Sequence, residues 1–455
     1  MVTINQRVVS VMVFATLAMH STVDVETLSQ DTLVDKNRQT FPLAPSARVG
    51  ALEPSVREAL ANVVPSLRQR RFPEEAVRTI GRSGDSRLLW YLYDLHWFVT
   101  RTSQDILVEA FETLSGADLP ENAFTVMGDR VLAWALPEPP NYRLLKRDLF
   151  LLIEPGWETF FNDEDSAIDW RLVGWGGVFI DDRPDATSGQ VCPRGCIPAL
   201  DEPAVTNAAA GAWYPDEAIV FGVVINGEAR AYPKNIMEVH EMVNDTLGGR
   251  RIALPYCTLC LSAQAYFTDE TESVRPRLRT SGLLSRSNKF MYDISTFSAV
   301  DTFTGRAISG PLFDAGVQFN QATVITSTWK AWRQAYPETT IVAEDGGIGR
   351  SYPSNPLRDR DDAGPIFPVG DVDPRLGVHD VVLGVVAADG TPVAFPVTAA
   401  RLALEAGEQV MAAGVVIGPD AGGLRALNNG IEVPTHEAFW FAWSQFYPRT
   451  VLWER

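Results

Sequence analysis

The hydrophobic pattern of the chain changes from a helical period to a strand period near residue 218. Between residues 54 and 135, apolar positions recur every three or four residues, which is the spacing of amphipathic helices. This period predicts helices at 55–64, 74–80, 88–99 and 103–114. Prolines and a Gly-Asp turn separate these segments, in an order that resembles a pair of HEAT-like helical repeats.

Downstream of residue 218, short apolar runs and turn residues alternate. Residues 219–232 predict a β-hairpin, because two β-rich runs flank Asn226-Gly227, which is a strong signal for a two-residue turn. A short helix or turn is expected at 236–243. Residues 251–256 then form a further strand, and its end delivers Cys257.

The β-rich pattern occurs twice. Residues 382–396 repeat the strand, turn and strand of 220–233, and a pair of tryptophans follows each copy in the same order: Trp329 and Trp332, then Trp440 and Trp443. This agreement predicts two tandem homologous halves, and we expect the tryptophans to pack in their cores. The second half contains no cysteine, so the first half is expected to carry the chemistry.

These patterns predict an α+β protein in which an N-terminal α-helical, HEAT-like region precedes a mostly-β domain. The predicted segments are a signal peptide (1–21), a linker (22–53), the helical HEAT-like region (54–135), a connector (136–203), the first β-rich half with the Cys/His site (204–345) and a second, degenerate β-rich half (346–455).

The first residues of the chain have the pattern of an export signal. Arg7 precedes an apolar run at 8–19, and small residues follow around Ala18 and Ser21. The run is shorter than the roughly 20 residues that span a bilayer. We therefore expect an extracytoplasmic protein, periplasmic or secreted, with no transmembrane segment after signal removal. An amphipathic or disordered leader is the alternative.

Composition and charge exclude several classes of function. The hydrophobic content of 46% fits a packed globular protein. The formal net charge of -18 makes nucleic acid an improbable partner, since phosphate backbones require basic patches. No phosphate-binding loop or dinucleotide fingerprint occurs, so no nucleotide cofactor is expected. The pattern leaves the partner, the reaction and the substrate unspecified.

The four cysteines form two tight pairs, Cys192-x3-Cys196 and Cys257-x2-Cys260. Four cysteines in so long a chain do not make a disulfide scaffold. Close pairing instead indicates local redox or metal chemistry. Cys192 and Cys196 could form a local disulfide or act as a resolving pair.

An ordered set of motifs surrounds these cysteines. It comprises Ile197–Pro203, Gly227–Pro233, His240-Glu241-x2-Asn244-Asp245-Thr246-x-Gly248-Gly249, Tyr256-Cys257-x2-Cys260, Ser281-Gly282-Leu283, Asn288, Met291-Tyr292-Asp293 and Thr304-Gly305-x4-Gly310-Pro311. Over roughly residues 190–455 the chain resembles the domain of unknown function family 3179. The resemblance implies a bacterial or archaeal protein, often exported, without a settled activity. The chain departs from the pattern at Leu261, where glycine is expected.

One interpretation of the site is a metal centre. The thiolates of Cys257 and Cys260 are close enough in sequence to share one ion, and His240 adds an imidazole. Sulfur and nitrogen ligands suit copper(I), zinc or iron, and an exported context favours copper. Further expected ligands are a thioether from Met291 or Met237 and a carboxylate from Glu241. Residues expected to surround the ligands are Tyr256, Asn288, Tyr292 and Asp293.

Two other interpretations stay open. Cys-x2-Cys is also the spacing of thiol–disulfide redox proteins, although a thioredoxin-like βαβ order is missing. Alternatively, Cys257 and Cys260 form a structural disulfide in a non-catalytic binding module, with His240 as a capped polar residue. The remaining isolated histidines are expected to have packing, surface or capping roles: His96, His379 and His436.

Overall fold

The computed structural model describes residues 41–120, 123–184, 192, 194–271, 274–358 and 364–455. The predicted signal peptide and the linker up to residue 40 lie outside the described residues. The chain divides into two compact units. The helical unit extends to Asn162 and includes Asp169–Leu172 and Pro368–Pro374; the β unit comprises Asp163–Ile168, Val173–Phe367 and Arg375–Arg455.

The helical unit consists of short helices, as the apolar period predicts. They are α1 (Pro54–Arg68), α2 (Glu74–Gly81), α3 (Leu89–Asp94), α4 (Gln104–Ser115), α5 (Ala123–Trp134), α6 (Tyr142–Ile153) and α7 (Glu158–Asn162), with 3-10 turns at Ser86–Leu88, Leu95–Phe98 and Pro155–Trp157. Helix α6 lies in the predicted connector, where Leu149, Phe150 and Ile153 are buried at helical spacing. The HEAT-like arrangement stays a prediction.

Within the described residues, the β unit contains all of the strands, which form five small sheets. Its first strands are β1 (Val173–Trp175), β2 (Leu200–Asp201), β3 (Val205–Asn207), β4 (Ile219–Ile225), β5 (Glu228–Pro233), β6 (Met242–Leu247), β7 (Arg250–Cys257), β8 (Ser262–Ala263), β9 (Ala265–Phe267), β10 (Leu278–Ser285), β11 (Asn288–Asp293), β12 (Ala299–Asp301), β13 (Arg306–Ala307), β14 (Gln321–Ala322), β15 (Ile325–Thr328) and β16 (Thr340–Val342). Three helices lie among them: α8 (Lys234–His240), α9 (Gly310–Asp314) and α10 (Trp329–Ala335).

The rest of the β unit follows a similar order. Its strands are β17 (Val381–Val386), β18 (Pro392–Pro396), β19 (Val410–Ala412), β20 (Val415–Asp420), β21 (Gly423–Asn428), β22 (Ile431–Val433), β23 (Thr435–Phe439) and β24 (Val451–Leu452), and its helices are α11 (Val397–Glu405) and α12 (Trp440–Phe446). The sheet orders are β1-β10-β11-β12-β13, β14-β9-β7-β6-β2 with β8 on β7, β15-β4-β5-β16-β3, β23-β17-β18-β24 and β19-β20-β21-β22. The mixture of helices and sheets confirms the α+β class.

Two of the sheets share one topology. In β15-β4-β5-β16 and in β23-β17-β18-β24, an antiparallel hairpin occupies the centre and the last strand runs parallel to the second hairpin strand. Trp332 packs on Gly222 in the first sheet, and Trp443 packs on Gly384 in the second. The predicted burial of all four tryptophans is confirmed. A common origin of the two halves stays a prediction, which this agreement favours.

The site region is held by the sheet that contains β6 and β7. Its core is formed by buried apolar residues of both strands and of α8, including Ile236, Val243, Leu254 and Tyr256. Among the helices of the described ranges, none has the length and apolar character needed to cross a bilayer.

Candidate functional site

Strand β7 ends in a tight loop that presents the two thiols. We call residues 257–261 the Cys loop. The amide of Cys260 donates to the carbonyl oxygen of Cys257 at 3.2 Å, which closes the turn. Leu261 then adopts a left-handed backbone with φ of 53°. This conformation explains the glycine expected at position 261, since a residue with a Cβ adopts it only at a cost.

Both thiols of the Cys loop are free and buried. The sulfur of Cys257 lies 3.7 Å from the carbonyl oxygen of Ser287, and the sulfur of Cys260 lies 3.6 Å from the same oxygen. Ser287 belongs to the turn between β10 and β11. The two sulfurs therefore converge on one acceptor. The single proton of the Cys260 thiol is donated either to that oxygen or to the Cys257 sulfur.

The surroundings of the two sulfurs differ in their effect on the pKa. Burial alone would raise the pKa of Cys257, but hydrogen bonds from the Cys260 thiol and from the main-chain N–H groups of Lys289, Cys260 and Leu259 outweigh it and lower the pKa. Burial, the bond to Cys257 and its charge all raise the pKa of Cys260 well above its usual range. Cys257 is therefore the sulfur that ionises first.

Glu241 links the end of helix α8 to the Cys loop. Its carbonyl oxygen accepts the amide of Tyr256 at 2.9 Å, and its carboxylate accepts the hydroxyl of Thr258 at 3.0 Å. The carboxylate also forms an ion pair with the ammonium of Lys289. The Glu241 side chain is buried, so these contacts satisfy a charge that water does not reach.

His240 is occupied by protein groups on both ring nitrogens. Nδ1 lies 2.7 Å from the carbonyl oxygen of Pro198, and Nε2 lies 2.7 Å from the hydroxyl of Tyr352. A carbonyl only accepts, so Nδ1 donates and Nε2 accepts from Tyr352. Burial lowers the pKa of His240 to about 4, so the ring is neutral near pH 7.

The predicted metal ligands do not converge. Among the residues that the structure describes, the one cluster of three His, Cys, Asp or Glu ligand atoms consists of Asp181, Cys192 and Cys196. His240 and Glu241 do not join Cys257 and Cys260 in such a cluster. The thioether candidates are buried in apolar cores, Met237 beside β4 and Met291 beside β12.

The Asp181 cluster has other partners. Cys192 and Cys196 are bonded to each other as a disulfide, which one interpretation of their spacing expected. The carboxylate of Asp181 accepts the guanidinium of Arg183 and the amide of Ala199 at 2.9 Å. Both sulfurs are therefore unavailable as thiolates while the disulfide persists.

The residues expected around the ligands have separate roles. Asn288 follows Ser287 and donates to the carbonyl oxygen of Lys289 at 3.1 Å. The hydroxyl of Tyr292 donates to the carbonyl oxygen of Asp181 at 2.7 Å, whereas the carboxylate of Asp293 accepts the main-chain amides of Arg277 and Thr296. Tyr256 packs in the core. Only Asn288 adjoins the carbonyl that contacts the sulfurs.

A cavity of about 190 Å³ adjoins the Cys loop. Thr258 and Leu259, which stand between the two cysteines, line it together with Glu241 and Lys289. The rest of the lining is mainly apolar: Val178, Ile197, Leu283, Leu284, Phe290, Met291, Leu357, Ile366 and Phe367. An apolar lining with a few polar groups is typical of ligand sites, whose volumes are usually about 300–1,000 Å³, so this cavity would hold only a small ligand.

The sequence patterns assign no role to Ser287, to Lys289 or to Thr258, although Thr258 lies between the two cysteines of the motif. Ser287 and Lys289 lie next to Asn288, which the motif set includes, but their contacts with residues 257–260 come from the packing of the β10–β11 turn on the Cys loop. The second half also contributes, since the amide of Phe439 donates to the carbonyl oxygen of Cys260 at 2.8 Å. No local period in the sequence predicts these contacts.

The comparisons with known proteins agree with the motif set. A family model described as "Protein of unknown function (DUF3179)" matches residues 194–432, which is more than half of the chain and includes the Cys loop, His240 and Glu241. No curated protein and no solved structure matches the chain. The chain belongs to the family of proteins of unknown function DUF3179.

Proposed function

We propose that Cys257 and Cys260 perform thiol–disulfide exchange, with Cys257 as the attacking thiolate and Cys260 as the resolving thiol. The observation that carries this proposal is the convergence of two free sulfurs on the Ser287 carbonyl while main-chain N–H groups point at Cys257. Such N–H groups stabilise a thiolate, which is the nucleophile in exchange.

The exchange consumes one disulfide and releases two thiols. The Cys257 thiolate attacks one sulfur of a disulfide R–S–S–R′, forms a mixed disulfide with R–S and releases R′–S⁻, which takes up a proton. Cys260 then loses its proton, attacks the Cys257 sulfur and releases R–S⁻. The protein gains a Cys257–Cys260 disulfide and loses two electrons and two protons, which the two product thiols carry.

Exposure supports the order of the two cysteines. Cys257 has 3% of its surface exposed and Cys260 has none, so an incoming sulfur meets Cys257 first. The narrow access favours a small disulfide as the substrate. The cavity lined by Thr258 and Leu259 provides adjacent space for its substituents.

The proposal includes an extracytoplasmic location. The Cys192–Cys196 disulfide supports it, because disulfides persist mainly in oxidising compartments. The apolar run at 8–19, which lies outside the described residues, has the form of a signal sequence. Cell fractionation with N-terminal sequencing tests this part: a mature chain that begins near residue 22 supports export, and an uncleaved cytoplasmic chain contradicts it.

The second half is proposed to be a duplicated framework that supports the Cys loop. It lacks cysteine, yet its strand β23 contributes the amide of Phe439 to the Cys260 carbonyl. The amide of Val324 donates in turn to the carbonyl oxygen of Thr435 at 3.0 Å. The second half has the same sheet and tryptophan packing as the first but no thiols. This combination fits a role in supporting the Cys loop.

The experiment is a reaction of the reduced protein with 2-hydroxyethyl disulfide, followed by peptide mass analysis. The proposal expects loss of two hydrogens from the peptide that contains Cys257 and Cys260. The double variant Cys192→Ser/Cys196→Ser is the control and should react in the same way. A protein that does not react, or whose Cys257 and Cys260 are blocked by a co-purified metal ion, contradicts the proposal.

A further inference from the structure

Glu241 contacts the residues on both sides of the attacking cysteine. Its carbonyl oxygen holds the amide of Tyr256, the residue before Cys257, and its carboxylate holds the hydroxyl of Thr258, the residue after it. One residue therefore fixes the chain on both sides of the sulfur. Its α8 neighbour His240 contacts Pro198 and Tyr352 instead.

Lys289 completes the connection to the sulfur. Its ammonium pairs with the Glu241 carboxylate, while its own main-chain N–H donates to the Cys257 sulfur. The turn just before β11 supplies the Ser287 carbonyl that both sulfurs contact. The ion pair thus joins Glu241, which holds Thr258 of the Cys loop, to strand β11, which carries the N–H donor.

The backbone at Glu241 is costly for this residue type. Glu241 follows the last residue of α8 with φ of 54°, the left-handed conformation in which helices usually place glycine. Glycine would adopt it freely, whereas a residue with a Cβ is strained. Strained residues concentrate at functional sites, and here the carboxylate contacts with Thr258 and Lys289 offset the strain.

We propose that Glu241 is a positioning residue for the Cys257 thiolate. It acts through Thr258, whose hydrogen bond fixes the conformation of the Cys loop. It also acts through Lys289, whose ion pair fixes the position of the main-chain N–H that donates to the Cys257 sulfur. This inference rests on the proposed role of Cys257 in exchange. Asp301 on β12 also acts on the thiols, because its charge raises the pKa of Cys260.

The test is the pH dependence of Cys257 alkylation by iodoacetamide, resolved by peptide mass. In Glu241→Ala, the N–H donor and the Cys loop lose their alignment, so the apparent pKa of Cys257 should rise by about one unit. At a pH below the wild-type pKa, alkylation then slows about tenfold. Glu238→Ala is the matched control, because Glu238 is a buried glutamate on α8, three residues before Glu241, and it pairs with Lys234 at 2.8 Å. In this variant, the pH dependence of Cys257 alkylation should match that of the wild type.

Other roles for Glu241 give different results. A carboxylate that acts only through charge predicts a lower pKa in Glu241→Ala, because the Lys289 ammonium is left uncompensated near the thiolate. A purely structural role predicts lower stability with an unchanged pKa. Either result overturns the proposal. A wild-type Cys257 that reacts like an ordinary thiol would instead contradict the proposed exchange function.

Three further variants cover the case in which Glu241→Ala does not fold. Glu241→Gly relieves the left-handed backbone and should show the same rise in the pKa of Cys257. Thr258→Val removes one of the two carboxylate contacts and should show a smaller rise. Glu241→Gln keeps an acceptor for Thr258 and should recover part of the shift. An unchanged pKa in both Glu241→Gly and Thr258→Val overturns the proposal.

Discussion

His240 and Tyr352 form a partly buried hydrogen bond of 2.7 Å between Nε2 and the phenolic hydroxyl. The other ring nitrogen of His240 donates to the Pro198 carbonyl, so the ring has no free lone pair for an ion. The family motif that contains His240 thus ties α8 to two distant segments. The residue that follows, Glu241, is the one that reaches the thiols.

The role of His240 is expected to be structural. His240→Ala leaves the Pro198 carbonyl and the Tyr352 hydroxyl without their partner, which should lower the free energy of unfolding by about 1–3 kcal/mol. Denaturant titration measures this loss. The rate of Cys257 alkylation should not change. Tyr352→Phe removes only one of the two bonds and should cost less. A His240→Ala protein that keeps its stability but loses a bound metal ion would contradict this assignment.

The stability should depend on pH through His240. Burial lowers its folded pKa to about 4, whereas the unfolded value is near 6.5. Below pH 6.5 the unfolded state binds a proton that the folded state does not, so stability falls as the pH decreases towards 4. Between pH 7 and pH 5 this contribution is about 2 kcal/mol.

The comparison with His240→Gln isolates that contribution. His96 and His436 titrate with the same sign, since burial lowers their pKa values to about 4 and about 3, but both remain in the variant. Wild type should therefore lose about 2 kcal/mol more than His240→Gln over this pH range. Equal losses in the two proteins would show that His240 is already free to take up a proton when folded.

Gly222 and Gly384 should be equally intolerant of a side chain. A Cβ at Gly222 would collide with the ring of Trp332, and a Cβ at Gly384 would collide with the ring of Trp443. Overpacking of this kind typically costs about 1–3 kcal/mol. Denaturant titration of Gly222→Ala and Gly384→Ala should give losses in this range. Gly418→Ala is the control, because nothing lies within 4 Å of its Cβ.

Matched losses would support the repeated architecture of the two sheets. Trp332 and Trp443 also donate to equivalent threonines, Thr339 and Thr450, at 2.9 Å in both cases. A loss at Gly222 without one at Gly384 would mean that the second sheet does not use its tryptophan in the same way.

The local parts of the fold were predictable from the sequence. Asn226-Gly227 predicted a hairpin, and strands β4 and β5 confirm it, with φ values of 50° and 82° at the two turn residues. Such turns depend on neighbouring residues only. Helix α6 was missed because its aromatic-rich surroundings suggested a connector, although its buried residues follow the helical period.

The motifs indicated candidate site residues but not the contacts that these residues make. The Cys loop and Glu241 were identified from motifs. The predicted metal site required in addition that the side chains of these motifs converge on one point. His240 instead contacts Tyr352, which is 112 positions away. Lys289, on strand β11, forms an ion pair with Glu241 although the two residues are far apart in the sequence. Contacts of this range depend on sheet packing, which local patterns do not encode.

Metal content distinguishes the thiol proposal from the predicted metal site. Because both ring nitrogens of His240 and the carboxylate of Glu241 are engaged by protein groups, we expect far less than one metal ion per chain in protein purified from its native compartment. Elemental analysis with a count of free thiols measures this. About one copper, zinc or iron ion per chain, lost in Cys257→Ser, would restore the metal interpretation.

The most direct test of the central claim is to trap the mixed disulfide. Cys260→Ser should accumulate an adduct of 2-hydroxyethyl disulfide on Cys257, because the resolving thiol is missing, and Cys257→Ser should form no adduct at position 260. Peptide mass analysis reads both results. Adducts on Cys260 in preference to Cys257, or no adduct in either variant, would contradict the assignment of Cys257 as the attacking thiolate.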